Sequence, residues 1–286
     1  MGLLVWRLLV TEPLDGATNM AVDEALLRAR IDDSGGPTVR FYGWHPATVS
    51  LGYAQPLDEA VDRAACQTLG IGLVRRPTGG SAILHEPPDA EVTYSVVARE
   101  GDFPGADDVL ETYRILGEGL AAGLARLGVQ TQLTPLTRGR RAEAASPAFC
   151  FRRAGAYELA VEGRKLVGSA QRRQRRAFLQ HGSVLLDADL GRIRAVFPRE
   201  TEPTASMTTL AGILGRSPGF DTVVTALGDG LAEALGVRLV PSDLSVEEWA
   251  SGEALVAGKY GTDTWTMLGR LPERTDATGA PAGAIS

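Results

Sequence analysis

Residues 75–85 read Arg75-Arg76-Pro77-Thr78-Gly79-Gly80-Ser81-Ala82-Ile83-Leu84-His85, and this glycine turn between two strand-like runs decides the fold. Adjacent glycines expose backbone N–H groups and let a ligand approach the chain closely. The two arginines and the histidine could bind an anionic or polar head group there. The stretch lacks the lysine and the spacing of a phosphate-binding P-loop and does not open a helix, which excludes the usual nucleotide-binding motifs. A tight hairpin with solvated arginines is the structural alternative.

Strand and helix patterns extend on both sides of this turn. The strand-like runs are rich in β-branched and aromatic residues, whereas apolar residues recur every three or four positions in the helical runs. We expect Thr18 or Asn19 to cap the first helix and His45-Pro46 to form a turn. The patterns predict strands at 5–10, 38–44, 48–53, 73–77, 91–98, 129–133, 157–161, 165–171 and 178–186, and helices at 19–27, 57–69, 107–127, 220–235 and 245–257.

A second motif surrounds one of the only two lysines, Lys165 and Lys259, in a chain with 29 basic residues. Lysine, unlike arginine, can lose its proton when buried and presents a compact charge. A chain that uses arginine for almost every other cation is therefore expected to use Lys165 for function, and chance retention in a hairpin is the alternative. The motif reads Gly163-Arg164-Lys165-Leu166-Val167-Gly168-Ser169-Ala170-Gln171 and is followed by Leu179-Gln180-His181-Gly182-Ser183.

The two cysteines, Cys66 and Cys150, are expected to differ in role. Two cysteines so far apart form neither a disulfide framework nor a zinc cluster, so we expect a reducing compartment and no metal site. Cys66 lies on a predicted helix and is expected to be a small buried residue. Cys150 stands between two phenylalanines, just beyond a polar, Arg-rich stretch at 134–147 that we predict to be a loop. Nearby cations would favour its thiolate and make it a nucleophile, whereas the phenylalanines could instead bury it.

Charge is distributed unevenly along the chain, which has a formal net charge of −6. Residues 138–176 nevertheless carry eleven basic and three acidic residues. A segment this basic in an acidic protein predicts a docking surface for an acidic partner. Nucleic acid is the rival partner, but the isoelectric point near 5.3 and the lack of interleaved aromatic residues exclude it.

Length and composition exclude other classes of protein. With 286 residues and 44% hydrophobic residues the chain can bury a proper core, so disorder is excluded for its bulk. The first ten residues lack the long apolar run of a signal peptide or membrane span, and we expect a cytoplasmic protein. Residues 273–286 are small and polar, and we expect a disordered tail there.

The ordered set of motifs resembles the biotin/lipoate A/B protein ligase family and, within it, the bacterial LipM-type octanoyltransferases. The resemblance spans most of residues 1–265. It departs from the family at Ser81, where glycine or arginine is more common, and in the unusually Arg- and Ala-rich loop before Cys150. The segments that carry it are 19–25, 75–85, 94–95, 150–151, 157–159, 163–171, 179–183 and 259–265.

The resemblance implies an α+β fold, in which residues 1–272 form one catalytic domain with a mixed sheet, packed helices and an apolar tunnel for an eight-carbon acyl chain. By this likeness Cys150 attacks the thioester of octanoyl acyl carrier protein and passes the octanoyl group to a lysine of glycine cleavage H protein or a lipoyl domain, with Lys165 beside the reacting carbonyl. It also implies a monomer that needs no cofactor. The residues implied to bind substrate are Arg75, Arg76, Thr78, Gly79, Gly80, Ser81, His85, Gly168, Ser169, Ala170, Gln171, His181 and Gly182.

Three alternatives stay open. An ATP-dependent lipoate–protein ligase, with ATP and Mg²⁺, would use the same glycine turn and lysine but needs no thiol. A lipoyl amidotransferase would also use a cysteine. A non-catalytic module that binds an acyl group or a carrier protein comes from a different class, although the joint presence of Cys150, Lys165 and His181 argues against it. Lys259 is expected to have a structural role or to contact the acyl head group, and a plain cation at a helix C-terminus is the alternative.

Overall fold

The computed structural model describes residues 3–133 and 158–269, so the predicted loop at 134–147 and Cys150 lie outside the described residues. Eleven strands occur in the described ranges. They are β1 (Leu4–Leu14), β2 (Thr38–Trp44), β3 (Thr48–Leu51), β4 (Gly72–Arg75), β5 (Ile83–His85), β6 (Glu91–Arg99), β7 (Gln132–Leu133), β8 (Leu159–Val161), β9 (Arg164–Gln174), β10 (Ala177–Leu185) and β11 (Val237–Pro241).

Ten α-helices of the described ranges lie between or after these strands. They are α1 (Gly16–Ile31), α2 (Leu57–Ala60), α3 (Arg63–Thr68), α4 (Val109–Arg126), α5 (Leu190–Val196), α6 (Pro203–Ser206), α7 (Leu210–Leu214), α8 (Phe220–Leu235), α9 (Val246–Leu255) and α10 (Asp263–Leu268). A π-helical turn, Val256–Tyr260, continues α9. No helix of the described ranges is both long and apolar enough to cross a bilayer.

The strands form two sheets. The large sheet has the order β11-β1-β2-β6-β10-β9-β8-β7, and the small sheet has the order β4-β3-β5. Both are mixed, because β1 runs parallel to β11 and β2, whereas β6 and β10 pair antiparallel and β3 pairs parallel with β4 but antiparallel with β5. The α+β class is therefore confirmed.

Helices α4 and α8 cover one face of the large sheet, and the predicted bounds of α8 are confirmed. Their contact buries apolar side chains that recur every four residues, among them Leu116, Leu120 and Leu124. Alternate residues of the central strands, such as Tyr94 and Phe178, complete this core. The small sheet packs with α3 and α5 around a second apolar cluster, which includes Cys66 and confirms that this cysteine is buried.

Several boundaries differ from the prediction because a local polar contact decides them. Asp15, not Thr18 or Asn19, caps α1, since its carboxylate accepts the N–H of Thr18. The predicted helix at 57–69 is two helices, because Val61 is extended and the next residue, Asp62, caps α3. The predicted turn between β8 and β9 is confirmed, with positive φ at Glu162 and Gly163.

Candidate active site

A cavity of about 750 Å³ opens beside the glycine turn. Four residues predicted to bind substrate meet on its wall, namely Thr78, Gly79, Gly80 and Gln171. The other lining residues are Tyr53, Ala54, Gln55, Pro56, Glu59, Ala60, Pro77, Arg172 and Arg199. The wall thus combines the loop after β3, the end of α2, the glycine turn, the second half of β9 and the segment after α5.

The shape of the turn depends on glycine at two positions, Gly80 and Gly52. Gly80 has φ +94°, a left-handed conformation that other residues rarely adopt. Gly52 faces it so closely that a Cβ atom there would lie 1.8 Å from the Gly80 carbonyl oxygen. A Cβ at Gly79, in contrast, would meet nothing within 4 Å. The Gly80 side of the turn therefore packs against Gly52, directly after β3, whereas the Gly79 side is open.

Arg76 holds the turn from behind, although sequence reasoning placed it at a ligand. Its guanidinium donates to the carbonyl oxygens of Gly79 at 2.6 Å and Ser81 at 2.8 Å, and also to that of Ser50 at 3.0 Å. The side chain is 2% exposed. Buried cations need such partners, so the alternative of solvated arginines is wrong here.

Arg75 is buried to the same extent and joins three segments of the chain. Its guanidinium donates to the backbone oxygens of Gly52, Gln55 and Thr266 at 2.8, 2.7 and 3.1 Å. It also donates to the Trp265 oxygen, while the Trp265 indole N–H donates back to the Arg75 oxygen. The printed partners of both guanidinium groups lie within the protein itself, so contact of Arg75 or Arg76 with substrate stays a prediction.

A buried chain of hydrogen bonds connects α1 to the turn. Asp23 is fully buried and accepts hydrogen bonds from Arg40, Tyr42 and Ser95. Burial alone would raise the pKa of Asp23, but the hydrogen bond from His181 and the charge of Arg40 outweigh it and hold the pKa below its ordinary value. The carboxylate therefore stays ionised in the core.

His181 and Thr78 continue this chain to the cavity. The Nδ1 of His181 lies 3.1 Å from the Asp23 carboxylate and its Nε2 lies 2.7 Å from the Thr78 hydroxyl. Burial lowers the pKa of His181 below 6.5, so the ring is neutral near pH 7. A neutral ring that donates from Nδ1 to Asp23 must accept at Nε2, and Thr78 must then donate its proton there.

His85 belongs to a second chain of buried hydrogen bonds, which lies behind the same turn. Its Nδ1 lies 2.7 Å from the Glu91 carboxylate and its Nε2 lies 2.8 Å from the Ser50 hydroxyl. The ring also stacks on Trp44 with a centroid separation of 3.9 Å. Arg76 donates to the Ser50 hydroxyl and to the Thr78 hydroxyl, so both chains end on one guanidinium. His85 thus supports the turn from within the core.

Lys165 is 1% exposed and its ammonium donates to the carboxylate of Glu158. It lies on β9, six residues before Gln171, and does not line the cavity. Burial of a lysine with a carboxylate agrees with a functional role better than with a surface charge. Its position relative to Cys150 stays a prediction.

The small residues of the second motif let β9 and β10 pack closely. A Cβ at Gly182 would lie 2.3 Å from the Gly168 carbonyl oxygen. The Ser169 hydroxyl lies 2.7 Å from the Tyr94 hydroxyl. Substrate contact by Gly168, Ser169, Ala170 and Gly182 stays a prediction, as it does for the buried Ser81.

Lys259 is part of a buried cluster that sequence reasoning left without a partner. Its ammonium pairs with Glu24, and the Tyr260 hydroxyl donates to the same carboxylate. The ammonium also lies 4.1 Å from the Trp265 ring centroid, a cation–π contact. Burial lowers the pKa of Lys259. The sequence held one signal for this partner: Glu24 follows Asp23 on a helix with few exposed positions, and a buried carboxylate needs a cation.

Only part of the basic segment 138–176 lies in the described ranges, and Arg173 within it turns inward. It donates to the Ala106 carbonyl oxygen at 2.8 Å and to the Thr112 hydroxyl at 2.6 Å, and it lies over the Phe178 ring. Its guanidinium is therefore engaged within the protein although the residue is half-buried, and a docking role for the basic segment stays a prediction. Among the described residues no three His, Cys, Asp or Glu side chains group as metal ligands.

Comparisons with known proteins agree with this arrangement. Residues 15–232 match the family model of the lipoyl protein ligase A/B catalytic domain. The octanoyltransferase LipM of Kyrpidia tusciae is 46% identical over 275 residues, which cover 91% of this chain and 97% of the relative. That of Symbiobacterium thermophilum is 45% identical and covers 92% and 98%. A lipoate-protein ligase A solved with ATP is similar in structure, with TM-score 0.77, 25% identity and coverage of 92% and 99%.

Proposed function

Because the chain belongs to the lipoyl protein ligase A/B catalytic domain family, we propose that it transfers an octanoyl group from acyl carrier protein to a lysine of a lipoyl-accepting protein. The acceptor is glycine cleavage H protein or a lipoyl domain. One observation carries this proposal: relatives named octanoyltransferase LipM match the chain over nearly its whole length and theirs. The cavity beside the glycine turn supports it, since about 750 Å³ is enough for a slender acyl-thioester arm.

The proposed reaction has two steps that conserve atoms and charge. The Cys150 thiolate attacks the carbonyl carbon of the octanoyl thioester, a new C–S bond forms, and the carrier leaves as its thiolate, which takes up a proton. The neutral amine of the acceptor lysine then attacks the enzyme thioester, loses a proton, and releases Cys150 as an amide forms. Exchange of thioesters is nearly balanced and thioester to amide runs downhill, so the route needs an activated thiolate and no ATP.

Lys165 has the chemistry to assist both steps. An ammonium group beside a cysteine favours the thiolate, and beside a reacting carbonyl it stabilises the developing oxyanion. The contact between Lys165 and Glu158 supports this role, because a buried ion pair fixes the direction of a long flexible side chain. The chain Asp23-His181-Thr78 acts further away, by keeping the turn in shape.

A second candidate is the ATP-dependent ligase, and the structural similarity to an ATP-bound lipoate-protein ligase A favours it. The two functions differ in a measurable way. A ligase makes an acyl-adenylate from the free acid and ATP, whereas the transferase takes its acyl group from a thioester and passes it through Cys150.

Intact-protein mass spectrometry after mixing with octanoyl acyl carrier protein, without ATP, separates them. We expect a single octanoyl adduct on the wild-type protein and none on Cys150→Ser. Cys66→Ser is the matched control and should keep the adduct, because Cys66 is 1% exposed and burial raises the pKa of its thiol to about 11. Product that forms only when octanoate and ATP are added, with no adduct, would refute the transferase and support the ligase.

A further inference from the structure

Two arginines on the rim of the cavity have no carboxylate partner in the part of the chain that the structure describes. Among the described residues no Asp or Glu lies within 4 Å of the guanidinium of Arg172 or Arg199, although both line the cavity. Within the described residues Arg172 makes one hydrogen bond, to the Pro77 carbonyl oxygen at 3.2 Å, which leaves most of its donors available to a ligand. Arg199 is exposed.

The neighbouring cations differ from these two. Arg175 and Arg176 lie at the turn between β9, which carries Arg172, and β10. They pair with Asp32 at 3.7 Å and with Glu100 at 2.8 Å, respectively, and do not line the cavity. Unlike these two cations, Arg172 and Arg199 therefore keep their charge free of a carboxylate within the described residues. Glu59 is the one acidic side chain among the described lining residues, so the rim keeps a net positive charge.

The glycine turn adds neutral donors to the same wall. Neither the Gly79 nor the Gly80 N–H makes a hydrogen bond within the part of the chain that the structure describes, and both residues are exposed. Consecutive free N–H groups form a concave site for an anion. The cavity thus offers two guanidinium groups and two amide donors to one negatively charged group.

We propose that Arg172 and Arg199 bind the phosphodiester of the thioester arm by which a carrier protein presents its acyl group, an inference that rests on the proposed function. Carrier proteins hold acyl groups on a phosphopantetheine arm, whose single phosphodiester lies between the protein and the thioester. Arginine suits such a group because its planar fork donates two parallel hydrogen bonds to phosphate oxygens. The arm then enters the cavity with its charge at the rim and its thioester inside.

Isothermal titration calorimetry with phosphopantetheine and with pantetheine, which lacks the phosphate, tests this site directly. We expect phosphopantetheine to bind the wild-type protein about tenfold more tightly than pantetheine does, the size expected for partly exposed hydrogen bonds to a charged group. Arg172→Gln and Arg199→Gln should each remove most of that difference and leave pantetheine affinity unchanged. Arg176→Gln, in the same hairpin but outside the cavity, is the matched control and should keep the full difference.

Equal affinity for the two probes, or an equal loss in the Arg176→Gln control, would overturn the proposal. A titration with ATP distinguishes the other source of phosphate: binding of ATP that depends on Arg172, without binding of phosphopantetheine, assigns the site to a nucleotide and also overturns it. Transfer from octanoyl carrier protein is measured alongside. Transfer without discrimination between the probes refutes only this site, whereas discrimination without transfer refutes the octanoyltransferase function.

Discussion

At the scale of single residues, two of the three histidines, His85 and His181, act as fixed hydrogen-bond donors and acceptors in the core. His181 is 5% exposed and lies between a carboxylate on α1 and a hydroxyl on the glycine turn. Protonation would put a second N–H where Thr78 now donates, and Thr78 would have to rotate. The neutral ring is therefore part of the folded state, and folding is coupled to pH through it.

This coupling gives a prediction with a definite sign. Burial holds the folded-state pKa of His181 below its ordinary value of 6.5, so just below pH 6.5 the unfolded chain binds a proton that the folded protein does not. We expect the free energy of unfolding to fall as the pH decreases from 6.5 towards that lowered pKa, by up to about 1.4 kcal/mol per pH unit. Urea unfolding at several pH values measures this slope.

Comparison of slopes isolates the residue. His181→Gln keeps an acceptor for Thr78 and a donor for Asp23, so the variant should fold but lose the contribution of His181 to the slope. His45→Gln, at an exposed position, is the matched control and should keep the same dependence of the free energy of unfolding on pH as the wild-type protein. An unchanged slope in His181→Gln would show that the ring is protonated equally in both states.

Single residues also show what the sequence could predict. The motifs correctly marked the glycine turn and Lys165 as unusual, because glycine pairs and a rare lysine are visible locally. The partners of Arg76 and His181 were not predictable, since His181 bonds Thr78 across 103 residues of sequence. A polar residue in a motif can either bind a ligand or stabilise the turn that binds it, and its hydrogen-bond partners in the structure distinguish the two roles.

At the scale of elements, α4 and α8 were predictable because their apolar residues keep a helical period over sixteen residues or more. Shorter elements were missed. Strand β11 has five residues of which only the first is buried, so it is too short and too exposed for its pattern to predict a strand. Helix α10 has six residues, too few for a period to be seen. Their positions depend on tertiary contacts.

Glycines bring α4 and α8 into direct backbone contact, which gives a second prediction. A Cβ at Gly230 would lie 2.2 Å from the Gly119 carbonyl oxygen and 2.5 Å from the Gly123 nitrogen. Gly230→Ala must therefore push the helices apart, and we expect the free energy of unfolding to fall by about 3 kcal/mol, the upper range for overpacked cores. Chemical denaturation with urea measures the change.

Gly228 on the same helix is the matched control. The nearest atoms to a Cβ there, on Phe41 and Leu239, lie at 3.8 and 4.0 Å, an ordinary contact distance. Gly228→Ala should leave stability unchanged or raise it by up to about 1 kcal/mol, because alanine favours helix more than glycine does. Equal destabilisation by both substitutions would mean that loss of glycine, not helix proximity, is the cause.

At the scale of the whole molecule, the end of the chain supports the site near its beginning. Backbone oxygens of Trp265 and Thr266 accept hydrogen bonds from Arg75, which leads directly into the glycine turn. Trp265 is 3% exposed and also contacts the Tyr53 ring on the cavity wall. The α+β architecture was expected from the family resemblance, but this link across 190 residues was not visible in the sequence.

Two truncations test where the folded domain ends, which we propose is residue 272. A chain that stops at residue 272 keeps the contacts that α10 makes with the described residues, and residues 273–286 carry little apolar bulk to bury, so its Tm and its transfer rate should equal those of the full chain. A chain that stops at Gly261 loses Trp265 and leaves the buried Arg75 guanidinium with fewer acceptors.

Loss of a buried tryptophan costs about 3–5 kcal/mol and each hydrogen bond to a charged group about 1.5–3 kcal/mol, so the shorter truncation removes most of a typical domain's stability. We expect its Tm to fall sharply and its transfer activity to disappear, as measured by calorimetry and by acceptor mass. A shorter chain as stable as the full one would show that α10 is dispensable. Destabilisation by removal of residues 273–286 alone would instead place the domain boundary beyond residue 272.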